Sequence, residues 1–217
     1  MQVVSVNVGL PRQIAWKGRV ATTGIFKEPI EGRVRVRALN LDGDRQADLR
    51  VHGGPDKAVY VYPSEHYAYW RRVLPEMDLP WGMFGENLTT VGLAEDEVRI
   101  GDRFRIGSAE VMVTQPRMPC YKLGMKFRRN DIIRKFLASR RTGFYLAVLR
   151  EGEVAAGDTV ERLSRDPHAV RVLDIANLYA DTMPDMELLR RAVALDALPE
   201  SWRTHFRERA ESVLSGR

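Results

Sequence analysis

The chain has 217 residues, 44% of them hydrophobic, and a formal net charge of +5, which allows a sizeable buried core and makes an ordered chain the default reading. Its single cysteine, Cys120, rules out an intramolecular disulfide and an iron–sulfur cluster held by one chain, which needs four thiolates. The positive balance suits anionic partners but does not choose between phosphate-bearing small molecules and nucleic acid.

The opening MQVVSVNVGLP is too short to span a bilayer and lacks the basic start and cleavage site of a signal peptide, so a cytoplasmic protein with a free thiol is expected. From Met1 to about Leu163 the sequence reads as short strands punctuated by glycine, proline and asparagine. QVVSVNVG and GRVRVRAL alternate, KAVYVY is an apolar run, and GDRFRIG, AEVMVTQ, GFYLAVL and GDTVERL each read as a strand bounded by a turn. Regular short strands of this kind predict a closed or nearly closed barrel. A helix is expected from Ser64 to about Val73, with Ser64 as its cap and Tyr67, Trp70 and Leu74 on one face. A second is expected over roughly Asp131 to Ser139, where Ile132, Ile133, Phe136 and Leu137 recur at helical spacing.

After Arg165 the strand alternation stops and three helical blocks follow. Pro184 and Pro199 stand where helices begin, and Trp202, Phe206, Ala210 and Val213 form the apolar stripe of the last one. The expected fold class is α+β, mainly β: a β-barrel domain over residues 1–163 and a small three-helix segment over residues 164–217.

A phosphate loop, a dinucleotide glycine fingerprint and a paired-histidine zinc helix are all missing, and His52, His66, His168 and His205 are scattered. What remains is four loops rich in anion-holding groups. KGRVATTGIFKEPIEG brings Lys17, Thr22, Thr23 and Lys27, and VHGGPDKAVY brings His52, Gly53, Gly54, Asp56 and Lys57. FGENLTT brings Asn87, Thr89 and Thr90, and TQPRMPCYKL brings Arg117, Cys120 and Lys122. Glycine pairs let a backbone approach a ligand, and lysine and arginine supply charge for phosphate. A barrel mouth would gather these loops around one pocket.

Plainer roles stand beside these. A lone cysteine is commonly a small buried hydrophobe, although neighbouring cations favour its thiolate. The sequence HGGPD makes a good turn, Asn87 and the threonines can cap one, and Tyr60, Tyr62, Tyr67, Tyr69 and Trp70 read as strand-to-helix packing. The run from Lys122 to Arg141 carries eight basic residues against Asp131 alone, which reads first as a solvated helix face and second as a surface for phosphate or nucleic acid.

Taken together, ATTGIFKEPIEGRVRV, LNLDGDRQADLRVHGGPDKAVYVYPSEHYAYW, FGENLTT, IGDRFRIGSAEVMVTQPRMPCYKL and GFYLAVLREGEVAAGD resemble the MOSC domain, the molybdenum-cofactor sulfurase C-terminal type, in its bacterial YiiM branch. The resemblance covers nearly the whole chain, helical tail included. It implies a β-barrel that binds a molybdopterin-type molybdenum cofactor, with Cys120 as the thiolate ligand of molybdenum. It also implies an oxidoreductase that detoxifies N-hydroxylated compounds, such as N-hydroxylated purine bases, to amines. A soft anionic sulfur suits a metal already held by the pterin's sulfurs.

Lys17, Lys27, Lys57 and Arg117 would offset the charge of such a cofactor, and Thr23, Asn87 and Thr89 complete the expected binding set. His52 is the expected proton donor, with Asp56 second. The chain has no second redox motif, so electrons would come from a separate reductase, docked on the basic Arg128–Arg141 region. The expected partners are thus a small N-hydroxylated substrate and an electron-donor reductase, without a membrane, and a homodimer is an open question. Two other readings stay open: a sulfur-transfer protein carrying a persulfide on Cys120, and a nucleic-acid module built on the basic run.

Overall fold

The computed structural model describes residues 1–48 and 52–215. Val51, which opens VHGGPDKAVY, and the last two residues of the tail lie outside the described residues. Strand β1 (Gln2–Val8) is followed by a hairpin, β2 (Arg12–Trp16) and β3 (Arg19–Thr23), that the sequence did not announce. Its two-residue turn, Lys17-Gly18, has both φ angles positive, 52° and 72°. That geometry matches the right-handed twist of the flanking strands and favours glycine at the second position.

Short strands β4 (Glu28–Pro29) and β5 (Val34–Val36) lead to a 3-10 turn at Pro55–Lys57 and to the fully buried β6 (Val59–Pro63). Helix α1 (Glu65–Val73) then crosses over to β7 (Leu88–Val91), which lies parallel to β6. A crossover is what a parallel pair demands. Tyr67, Trp70 and Leu74 are buried on one face as expected, but Ser64 does not cap the helix. Its hydroxyl is turned instead to the Glu65 carboxylate.

The hairpin β8 (Arg103–Ile106) and β9 (Ala109–Pro116) precedes two helices, α2 (Tyr121–Phe127) and α3 (Ile132–Ser139). The second was expected and the first was not, because Gly124 interrupts its pattern. A Cβ at Gly124 would lie 3.0 Å from the Arg129 carbonyl and 3.5 Å from the Trp16 ring, so the glycine allows the helix to sit close against both. Strands β10 (Phe144–Arg150), β11 (Gly152–Val154) and β12 (Val160–Ser164) complete the sheets. The tail is α4 (Val172–Ala180), α5 (Met186–Val193) and α6 (Glu200–Leu214).

Eight strands form one sheet in the order β12-β8-β9-β10-β6-β7-β1-β4. This is a mixed α+β fold dominated by sheet, but the ladder does not close into the expected barrel, since β12 and β4 are its ends. One isolated bridge, Gln2 with Thr159, and backbone bonds from Met1 and Val3 to residues 157–160 cross toward β1. Pairing stops there because Ala155–Asp158 is a turn, fixed by the Asp158 carboxylate on the Ala155 amide and by the Arg33 guanidinium. Closure needs a continuous register, and this turn interrupts it.

Two cores fill the molecule. One is aromatic, with Tyr62, Tyr67, Trp70, Phe84, Phe127 and Phe136 buried between α1, α2 and α3, which is the packing role expected of the tyrosine-rich segment. The other joins sheet and tail: Phe104, Val111 and Val113 pack in the same cluster as Ile175, Leu189, Leu198 and Phe206. The helical tail therefore has no core separate from the sheet. No helix among the described residues is long and apolar enough to cross a membrane.

Candidate functional site

The site is built where β9, β10 and β6 lie side by side. Tyr145 of β10 pairs with Tyr60 of β6 and with Gln115 of β9, so these side chains share one face. The two tyrosine rings lie 5.2 Å apart between centroids. Burial raises the pKa of both phenols, against the pull of Arg117. Strand β9 ends at Pro116, and the turn that follows carries Arg117 and Cys120 before α2 begins. Thr23, Gly24, Ile25 and Lys27 form one wall of the pocket, and Asp44 to Ala47 another. His52 and, from the 3-10 turn, Lys57 close it on another side, and Phe84, Gly85 and Asn87 line it from the segment before β7. The space inside it that a water-sized sphere can reach is about 80 Å³.

At its centre the His52 Nε2 lies 3.3 Å from Cys120 Sγ. Burial disfavours the thiolate, but the His52 hydrogen bond and the charges of Arg117 and His52 outweigh it, bringing the thiol from 9.0 down to about 7. The Lys122 amide in the first turn of α2 adds a smaller contribution without closing a capping bond on the sulfur. Arg117 is 5% exposed, and its guanidinium sits 5.5 Å from the Tyr60 ring and 5.0 Å from the Phe136 ring. Its Nη1 has no hydrogen-bond partner, and neither has the buried Nδ1 of His52. An unpaired, buried arginine N–H beside a near-neutral thiol is a feature that a bound anionic group would satisfy.

The expected site residues divide sharply. Thr23, Lys27, His52, Lys57, Asn87, Arg117 and Cys120 all line the pocket. Lys17 does not; it sits at the exposed tip of the β2–β3 hairpin with its Nζ on Asn130, 2.6 Å away. Asp56 does not line it either, and its main-chain carbonyl accepts from Thr114 Oγ1 and Gln115 Nε2. Thr89 lies behind the wall, where it receives a bond from Asn7 and donates to Glu86.

Several pocket residues also have structural partners. Lys27 is ion-paired with the buried Asp44 carboxylate, so its charge is already neutralised. Asn87 accepts from the Tyr60 amide and donates to Asp44 Oδ2, 2.9 Å away. FGENLTT, read from the sequence as a ligand loop, is a strand entrance organised by Glu86. That buried carboxylate accepts from the Gly82 and Phe84 amides, Tyr67 OH and Thr89 Oγ1. Asp44, Tyr60, Phe84 and Tyr145 were missed as site residues. Asp44 is chemically ordinary in sequence, and the tyrosines reach the pocket only through strand register.

The basic run is not a continuous cationic face. Lys122 is buried and Lys126 partly buried, Lys126 donating to the Ile25 and Gly82 carbonyls. Arg129 pairs with Glu76 and Asp131, Lys135 with Asp131, and Arg140 with Asp181. Arg141 lies over the Tyr69 ring. This pairing removes the main support for a nucleic-acid surface on the run.

The MOSC domain model matches residues 48–161, and that of the YiiM-like, 3-alpha helix domain matches residues 172–212. The chain is 42% identical to the uncharacterized protein YflK of Bacillus subtilis, over 98% of this chain and 96% of that protein. It is 31% identical to a protein named Reductase of Gibberella moniliformis, over 89% of this chain but only 35% of the fungal protein. The crystal structure of YiiM from Geobacillus stearothermophilus superposes with a TM-score of 0.81 at 33% identity, covering 96% of this chain and 98% of that one. The chain belongs to the MOSC domain family, in the YiiM-like form that carries a three-helix domain after the MOSC domain.

Proposed function

We propose that this chain is a reductase of N-hydroxylated compounds that works with a molybdopterin-type molybdenum cofactor held at Cys120. The observation that carries the reading is the Cys120 thiol, poised near pH 7 between His52 and the Arg117 guanidinium, whose Nη1 has no partner, in one pocket. Membership of the MOSC family and the likeness to part of a fungal reductase point the same way.

The residues present fit such a cofactor. Among the described residues, no group of three or more His, Cys, Asp and Glu side chains could hold a bare metal ion. A metal bound here must bring most of its ligands with it, as a dithiolene-bound metal does, and needs one soft thiolate from the protein. Cys120 supplies that thiolate. Arg117 is the cation for the negative charge, and Lys57 stands across the pocket as a second. Lys27 is discounted because Asp44 neutralises it.

When bound, the cofactor would supply the two electrons that cleave the N–O bond. Reducing an N-hydroxylated amine also takes up two protons and releases one water. His52 faces the sulfur through Nε2, and its buried Nδ1 has no partner. It is the group suited to proton delivery, whereas Asp56 is not among the residues lining the pocket. Tyr60 and Tyr145 present an apolar floor on which a flat substrate is shielded from water.

The test is reduction of an N-hydroxylated purine with a chemically reduced viologen dye as donor, using protein from cells that make the cofactor. Conversion to the amine by wild type, absent in Cys120→Ser, supports the proposal. A wild-type protein loaded with molybdenum that leaves every N-hydroxylated substrate unchanged overturns it.

A further inference from the structure

Two walls of the pocket meet along a seam, and a side chain of α2 that is not itself part of the lining is bonded to both. Ile25 and Lys27 line the pocket from one loop, and Phe84 and Gly85 from the other. The loops touch without room for a side chain between them. A Cβ on Gly85 would lie 2.7 Å from Ile25 Cγ1, and one on Gly82 would lie 2.8 Å from the Lys27 carbonyl oxygen. Lys126, in the last turn of α2, donates from Nζ to the Ile25 carbonyl at 2.9 Å and to the Gly82 carbonyl at 2.5 Å. Each of these carbonyls also closes a turn of its own loop. Ile25 accepts from the Lys27 amide at 3.0 Å, and Gly82 from the Gly85 amide at 2.9 Å.

From these contacts we infer that Lys126 is a positioning residue that fixes the width of the Cys120 pocket and so limits the size of the substrate that reaches the sulfur. One amine ties together three elements: the two wall loops and the helix that starts immediately after Cys120. Its two bonds need only two N–H groups, which the amine keeps whether or not it carries its third proton. Asp44 joins the same loops on the pocket side, through Lys27 and Asn87. The seam thus has an inner tie at Asp44 and an outer one at Lys126, and the outer tie extends it to α2.

The consequence lies in access to the sulfur. When the loops part, the pocket widens where Ile25 meets Gly85, and both of these residues line it. Each hydrogen bond lost from the seam shifts its opening equilibrium by roughly fivefold. Calling the excluded molecule a substrate rests on the proposed function, whereas the width of the pocket is measured without cofactor or substrate.

The experiment compares alkylation of Cys120 by iodoacetamide and by iodoacetanilide, which carries the same reacting group enlarged by a phenyl ring. The full chain is used, and the ratio of the two rate constants is normalised to that of glutathione. Both reagents attack one thiolate at one pH, so its ionised fraction cancels in the ratio. Lys126→Met keeps the length of the side chain and removes its donors, and Leu189→Ala loosens the tail at a buried position as a control for stability. The expected result is discrimination against the anilide in wild type, relaxed about threefold or more in Lys126→Met and unchanged in Leu189→Ala. A wild type that accepts both reagents equally, an unchanged ratio in Lys126→Met, or an equal relaxation in Leu189→Ala overturns the proposal. Native-state hydrogen exchange of wild type alone gives a second test that does not need the variant to fold. One amine holds both acceptors, so the Lys27 and Gly85 amides should open together, and protection differing by more than about tenfold overturns the tie. These readouts stand apart from the reductase reading, which the viologen assay decides.

Discussion

Although 68 positions separate them in the chain, His52 and Cys120 meet with the imidazole Nε2 3.3 Å from the sulfur. That contact, with Arg117 nearby, converts an ordinary thiol into one that is half ionised near pH 7.

Removing the imidazole removes the largest contribution favouring the thiolate. In His52→Ala, the alkylation midpoint of Cys120 should rise from about 7 by about one unit or more, because burial then acts with less opposition. An unchanged midpoint would show that His52 does not control the thiol.

Arg117 is a buried cation whose charge burial disfavours, and the largest contributions favouring it come from phenols and the thiol. Replacing it with methionine relieves the desolvation of that charge, so Arg117→Met should leave the thermal midpoint unchanged or higher. The same variant should lose pterin and molybdenum and raise the Cys120 midpoint. A large loss of stability would mean that the guanidinium serves the fold instead.

Stability should rise with pH between about 7 and 9. Cys120 titrates at about 7 in the folded chain against 9.0 when unperturbed, so between these values the unfolded state binds more protons. Lys126 acts in the same direction: burial lowers it from 10.5 to about 7, and the unfolded chain again holds the extra proton. Each such group adds up to about 1.4 kcal/mol per pH unit in that window, and the gain is lost as pH falls through 7. Urea unfolding at pH 6.5 and 8.5 measures the slope, and Cys120→Ser should flatten it. A slope of opposite sign would contradict the burial of these groups.

Asn87 and Glu86 hold the wall of the pocket. Asn87→Ala strands the Tyr60 amide and one oxygen of Asp44, and should cost about 2–4 kcal/mol in urea unfolding. Glu86→Gln should cost about 1–3 kcal/mol, because an amide cannot accept all the donors now gathered on the carboxylate. Lys17→Ala, at an exposed hairpin tip, should change neither stability nor cofactor content.

Much of the strand pattern was legible because burial alternates on one face of β1, β8 and β9. The Tyr67, Trp70 and Leu74 face of α1 was legible for the same reason, at helical spacing. Cys120, His52 and Arg117 stood out as chemistry-bearing groups in proline- and glycine-rich turns. That the sheet stays open was not legible, and the closed barrel expected from the strand pattern is not formed, since pairing is interrupted at the Ala155–Asp158 turn. Nor was the difference between ligand-facing and structural polar residues. Thr23 and Thr89 look alike in sequence, yet one lines the pocket and the other bonds Glu86 behind it. The Lys126–Ile25 contact joins residues 101 positions apart, so no local pattern announces it.

The most direct measurement of the central claim is molybdenum by mass spectrometry with pterin fluorescence after oxidation. Both are measured on wild type and Cys120→Ser purified from cells able to make the cofactor. The account predicts near-stoichiometric metal and pterin in wild type, and loss of the metal in the variant. If both proteins are empty while a known molybdoenzyme from the same cells is loaded, the reductase account is contradicted. A persulfide on Cys120 in that empty protein would point to sulfur transfer instead.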